Sequence, residues 1–189
     1  MSIAHKREKD PEGVRKAILD KAAQLSITNG VQAVTIQAVA DAASVTKGGL
    51  MHHFPTKNAL FDALFTELAD YWEAELERHI STHIGEFGVF TRAYVEVTIP
   101  HPANAYENAY SYLALAATGS VETRYYLSER IQNLLEKHKE TDDFIELAII
   151  RYAAEGFRLS VLNNNDSRSS IALKQYLLKL VDDLSLNMA

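Results

Sequence analysis

The chain has 189 residues, 47% hydrophobic and 23% charged, with a net charge of −6. That is an ordinary globular balance with enough apolar material for a real core. Cysteine is absent, which excludes disulfides and thiolate metal sites. The N-terminus is polar and no apolar run is long enough to span a bilayer, so the cytoplasm is the expected location and no membrane partner is expected.

The net charge hides an asymmetry. Residues 1–57 hold eight Lys or Arg and five Asp or Glu, and the remainder holds eleven and twenty. A basic head on an acidic body points to a polyanionic partner for the head. Chance scatter explains so small a surplus equally well.

Residues 1–9 read as a disordered arm: polar, charged and poor in apolar groups. Asp10-Pro11-Glu12 then starts a helix, with Asp as N-cap and Pro at the first helical position. Val14, Ile18, Ala22 and Leu25 form its apolar stripe, with Leu19 beside it. Asn29-Gly30 ends it. Thr35 caps a short second helix that buries Ile36, Val39, Ala40 and Ala43. Ser44-Val45 is a turn, with Val45 as the inward anchor. Thr46 opens a very short third helix whose buried contact is Leu50. His53-Phe54-Pro55 closes it, because proline biases the preceding residue away from helix. Thr56 caps a long fourth helix, to about Ser81, with Phe61, Leu64, Phe65, Leu68, Trp72 and Leu76 at helical spacing.

The rest also reads as helical. Gly85 and Gly88 mark a break before a helix over about 89–98, closed by Pro100-His101-Pro102. Further helices are expected over 104–117, 121–139, 142–162 and 169–186. No stretch has a persuasive two-residue alternation. The expected class is all-α, with about nine helices.

Two short helices joined by a tight turn and braced by a first helix make a helix-turn-helix. The second short helix of such a unit enters the DNA major groove. Here it carries Gly48 and Gly49, each costing roughly 1 kcal/mol relative to alanine in a helix interior. Glycine lets the backbone come close to phosphates and base edges, so contacts made only on DNA can offset that cost.

The stretch from Arg15 to Leu64 closely resembles the TetR family of bacterial transcriptional regulators. The resemblance rests on "ILDKAAQLSITNG" followed by "TIQAVADAASVTKGGLMHHFPTKNALFDAL". The Thr35 cap, Val39-Ala40, Val45, Thr46-Lys47-Gly48, Leu50, His53-Phe54 and Lys57 fall at the family's spacing. The resemblance implies a DNA-binding domain over 10–55 and a ligand-binding and dimerisation domain over 56–189. It implies that Lys47 reaches guanine in the groove and that Thr46 meets a base edge or thymine methyl. Lys57, with the hydroxyls of Thr35, Ser44 and Thr56 near helix N-termini, would hold phosphates. Gly48, Gly49, His52 and His53 complete the expected DNA-binding set. Met51 and His52 stand where the family often has Tyr, and Gly49 removes a side chain from a frequent base-reading position.

Blander readings accompany these. His53 serves as a structural residue as readily as a phosphate ligand. Lys47 and Lys57, taken alone, are ordinary solvated lysines. His52 and His53 do not form a metal pair, because adjacent helical residues point about 100° apart. No metal or cofactor is expected.

The acidic body is rich in aromatics. Trp72, Tyr94, Tyr110 and Phe157 are the candidate walls of a ligand pocket, with core packing as the alternative for each. An acidic, aromatic body suits a lipophilic cation, although solvated acidic faces explain the charge as well. The segment 143–162 is apolar on nearly every face, which calls for burial on more than one side. With the last helix it would form a four-helix bundle between two subunits. Ile149, Tyr152, Gly156, Leu159, Tyr176, Leu177, Leu180 and Leu184 are its candidate interface. The expected function is a ligand-responsive repressor that binds a palindromic operator on double-stranded DNA as a homodimer and is released by an unknown small molecule. A small helical enzyme and a protein-binding adaptor on the same fold are the rivals. Neither a phosphate loop nor a catalytic constellation is visible for the former.

Overall fold

The structure, a computed structural model, describes residues 10–99, 121–160 and 167–188. Every regular element among them is helical. In chain order they are α1 (Pro11–Asn29), a 3-10 turn (Val31–Ala33), α2 (Ile36–Ala42), α3 (Lys47–His53) and α4 (Lys57–Ile80). There follow α5 (Val89–Thr98), α6 (Val121–Lys137), the one-turn α7 (Lys139–Asp142), α8 (Ile145–Ser160) and α9 (Ser167–Met188). The arm over 1–9, the helix over 104–117 and Tyr110 lie outside the described residues.

The chain divides into two compact units after Leu64. The first unit thus reaches beyond 55, because the opening turns of α4 belong to it. Its helices start on side-chain caps. Asp10 Oδ1 accepts from the Gly13 N–H at 2.8 Å, and Thr35 Oγ1 accepts from Ala38 N–H at 3.1 Å. Substituting such a cap by alanine costs about 1 kcal/mol. The buried face of α1 is Ile18, Leu19, Ala22 and Ser26. Val14 is exposed instead, and Leu25 is half-buried. Ser26 fits inside because its hydroxyl donates to the Ala22 carbonyl at 2.6 Å, leaving no polar atom unpaired.

The second unit is organised around α5, which buries Val89, Phe90, Thr91, Ala93, Tyr94, Val95 and Thr98. One side of it packs with Leu76, Ile80 and Leu134. The other packs with Leu147, Ile150, Ala154, Leu177 and Val181 from α8 and α9. Full burial of each such large side chain contributes about 1.5–3 kcal/mol. The entry to α5 requires glycine at 88. Its φ is +70°, and a Cβ there would stand 2.8 Å from Val181 Cγ1.

The junction before α8 differs from the sequence expectation. The helix predicted over 121–139 stops at Lys137, and α8 begins at Ile145 rather than at Asp142-Asp143. The cause is that Asp142 turns inward and serves another helix. Its carboxylate accepts from Phe90 N–H at 3.0 Å, from Thr91 N–H at 2.8 Å and from Thr91 Oγ1 at 2.6 Å. A buried acid thereby satisfies the open amides at the positive end of α5.

Candidate DNA-binding surface and ligand cavity

In the first unit, α2 and α3 meet through a turn over 43–46. Ser44 adopts a left-handed conformation with φ +56°, a geometry uncommon outside glycine. The turn is closed by Ser44 N–H to Asp41 O at 3.1 Å and Val45 N–H to Ala40 O at 3.0 Å. Val39, Ala40 and Leu50 are fully buried, so both short helices are anchored from beneath. Lys47, Gly48, Gly49, Met51 and His52 are all exposed, and His53 is half-buried. The His52 and His53 rings lie 5.8 Å apart, edge to face.

Thr46 caps α3 by accepting from Gly49 N–H at 3.0 Å, and Thr56 caps α4 by accepting from Ala59 N–H at 3.0 Å. A capping hydroxyl accepts with its oxygen and keeps its own proton for another partner. Lys57 has a tie that the sequence did not reveal. Its Nζ donates to the Gln32 carbonyl at 3.1 Å and stands 5.6 Å from the Phe61 ring centroid. Arg15 likewise lies 5.2 Å from the centroid of buried Phe54. Both cations brace the bundle through aromatic faces.

The second unit holds a cavity of about 540 Å³ between α4, α5, α6 and α8. Trp72 and Tyr94 line it, with their rings 5.6 Å apart and perpendicular. Ala69, Ile131 and Leu135 add apolar surface. Phe157 is not among its walls and packs instead on the core shared by α5, α8 and α9. Sequence reasoning missed the polar lining: Arg130, Arg151, Glu155 and Arg158. The available signal was the placing of Arg151, Glu155 and Arg158 at i, i+4 and i+7 on an otherwise apolar helix. Arg130 pairs with Asp70 at 2.7 Å and with Glu73. Arg158 pairs with Glu155 at 2.6 Å, and Tyr94 donates its hydroxyl to Glu155 as well. Burial first, and then the Glu155 charge, push the Tyr94 phenol well above its ordinary pKa, so it remains a donor.

A sequence profile described as "Bacterial regulatory proteins, tetR family" matches residues 18–64, and one described as "Tetracyclin repressor-like, C-terminal domain" matches residues 88–182. The chain belongs to the TetR family. Among its relatives, the HTH-type transcriptional repressor KstR2 of Rhodococcus jostii is 28% identical over 103 residues, 54% of this chain and 48% of that protein. The HTH-type transcriptional regulator RutR of Escherichia coli is 28% identical over 99 residues, 51% of this chain and 47% of that protein. The matched segment thus spans about half the length of these relatives. In three dimensions, the multidrug binding protein EbrR complexed with malachite green superposes with a TM-score of 0.69 at 20% identity, covering 88% of this chain and 96% of that one. That likeness establishes the fold.

One further surface belongs to this TetR-family chain. On α8, Ile145, Ile149 and Tyr152 are 68%, 59% and 74% exposed, and Gly156 is exposed between later turns. On α9, Tyr176 is 59% exposed. Leu180 and Leu184 are half-buried, and Leu177 is turned into the chain's own core. The side chain of Leu159 lies outside the described residues. Ile145, Ile149, Tyr152 and Gly156 recur at helical spacing, so one side of α8 is largely apolar and open to solvent.

Proposed function

We propose that this protein is a transcriptional repressor that binds a palindromic operator as a homodimer and is released when a small molecule fills the cavity of its second unit. The observation that carries this reading is the geometry of α3. One buried residue, Leu50, anchors it, while Lys47, Gly48, Gly49, Met51 and His52 face solvent. In this reading Lys47 and Thr46 meet base edges, and His52 extends the reading face. Thr35, Ser44, Thr56 and Lys57 hold the phosphate backbone, with His53 at the margin. The bond from Lys57 to Gln32 leaves two of the three ammonium hydrogens for a phosphate.

The apolar face of α8 and α9 supports a dimer through Ile149, Tyr152, Gly156 and Tyr176, with Leu180 and Leu184 at its edge. A two-fold dimer presents two copies of α3, which matches a palindrome. Helix α4 carries Lys57 near one end and cavity-lining Trp72 further along. A ligand that shifts α4 alters the spacing of the two reading helices, and ligand and operator then weaken each other by the same factor.

The test is an anisotropy titration of the DNA flanking the protein's own gene against a scrambled duplex, repeated with candidate small molecules. A preference for the flanking DNA that a small molecule abolishes is the expected result. Equal affinity for both duplexes would remove the operator reading, and turnover of an added compound would favour the enzyme.

A further inference from the structure

The three cavity arginines are not equivalent. Arg130 has an acceptor on every nitrogen: Nε and Nη2 both donate to Glu73, Nε at 2.8 Å, and Nη1 donates to Asp70 at 2.7 Å and to the Tyr126 hydroxyl at 2.6 Å. Arg158 directs Nε and Nη2 to Glu155 Oε2, at 3.1 and 2.6 Å. Arg151 is served less well. Its Nη1 donates to Thr91 Oγ1, while its paired acid, Asp142, stands 3.7 Å away, beyond a hydrogen bond. Asp142 meanwhile accepts from Phe90 N–H, Thr91 N–H, Thr91 Oγ1 and Thr141 Oγ1. Among the described residues, Nε and Nη2 of Arg151 meet no acceptor. The side chain is only 12% exposed. Burial lowers its pKa despite the opposing pull of Asp142, and the Phe90 ring, 5.9 Å from the guanidinium carbon, is its other close neighbour. A guanidinium remains charged regardless.

The acidic side of the cavity is in the opposite condition. Glu155 Oε1 accepts from Tyr94, and Oε2 accepts twice from Arg158. A cationic ligand would have to share Glu155 with Arg158 and Tyr94, whereas an anionic one finds open donors. We propose that the cavity binds an amphipathic carboxylate, with its head group on Nε and Nη2 of Arg151 and its aromatic or aliphatic body against Trp72, Ile131 and Leu135. A fork of two parallel N–H donors matches a carboxylate. A cavity of about 540 Å³ is of the size that encloses a small organic ligand. The overall charge of −6 suggests a cation, but the local inventory of donors and acceptors decides the matter, because long-range charge is screened and these contacts are not. This assignment rests on the cavity being the effector site.

The probes are 4-phenylbutyrate, 4-phenylbutyramide and 4-phenylbutylammonium, which share one apolar body. Trp72 is the only tryptophan and lines the cavity, so its fluorescence in the full-length protein reports binding. The carboxylate is expected to bind about tenfold more tightly than the amide and the ammonium, or better. Arg151→Lys is expected to retain part of that preference and Arg151→Gln to erase it. Arg158→Gln, which releases Glu155, is expected to improve the ammonium. The ranking on unaltered protein is decisive even if Arg151→Gln fails to fold. Equal affinities, or a preference for the ammonium, would overturn the carboxylate assignment while leaving the cavity a ligand site. No response of Trp72 to any of the three at millimolar concentration would overturn the cavity reading itself.

Discussion

Asp142 Oδ2 lies 3.0 Å from the backbone N–H of Phe90, a hydrogen bond that joins residues 52 positions apart. The same carboxylate faces Arg151. One side chain thus caps α5, fixes the α7–α8 junction and sets the charge balance of the cavity wall. Asp142→Ala removes the cap and leaves Arg151 buried without its acid. Breaking a buried pair from one side costs about 3 kcal/mol. Urea denaturation of the two proteins is expected to show a loss of that order. A loss well under 1 kcal/mol would mean that solvent takes over the role.

Stability is expected to decline on mild acidification. The His138 ring stacks on Phe90, with centroids 6.0 Å apart, and its Nε2 is buried without a partner. Burial, and then neighbouring Lys137, lower its pKa; burial and Arg78 do the same for His79. With folded values below the unfolded one of about 6.5, both groups bind more protons when the chain unfolds. Stability is therefore complete above about pH 6.5 and falls as the pH drops through the folded values. Urea midpoints between about pH 5 and pH 8 measure this, and His138→Phe is expected to flatten the slope.

Gly48→Ala separates stability from DNA binding. A Cβ at Gly48 meets nothing within 4 Å, whereas one at Gly49 would stand 3.1 Å from the capping Thr46 Oγ1. The alanine variant is expected to be more stable, by up to about 1 kcal/mol, and to bind operator more weakly because its methyl occupies space at the groove. Melting temperature and operator affinity, measured together, check this. Unchanged affinity would show that glycine is not kept at 48 for the sake of DNA.

Ile149→Asp places a charge on an apolar face that is exposed in the single subunit. Sedimentation equilibrium is expected to show monomers that retain full helicity. Leu177→Asp, at a position 3% exposed, is expected to unfold the subunit instead. An Ile149→Asp protein that remains dimeric would move the interface elsewhere.

The first unit was legible in the sequence because its determinants are local. Thr35, Thr46 and Thr56 each cap an amide three residues on, and capping is a short-range signal. The left-handed Ser44 carries no such signal, since serine does not favour that conformation. Long-range partners were illegible for a different reason. Lys57 reaches a carbonyl 25 residues away, and Asp142 reaches back 52. In sequence, Asp142 reads as the start of the helix over 142–162. Trp72 and Tyr94 were identifiable as cavity walls by their chemistry, but Phe157 has the same chemistry and faces the core. Only packing distinguishes them.

The most direct measurement is a hydroxyl-radical footprint on the DNA flanking the protein's own gene, made with unaltered protein and with Lys47→Ala. Two protected tracts related by two-fold symmetry are expected, their centres about 34 Å apart or a multiple of that. Lys47→Ala is expected to lose about 1–3 kcal/mol of preference for that site over other sequences. Continuous protection without paired tracts, or a Lys47→Ala protein that discriminates as well as the unaltered one, would contradict the account.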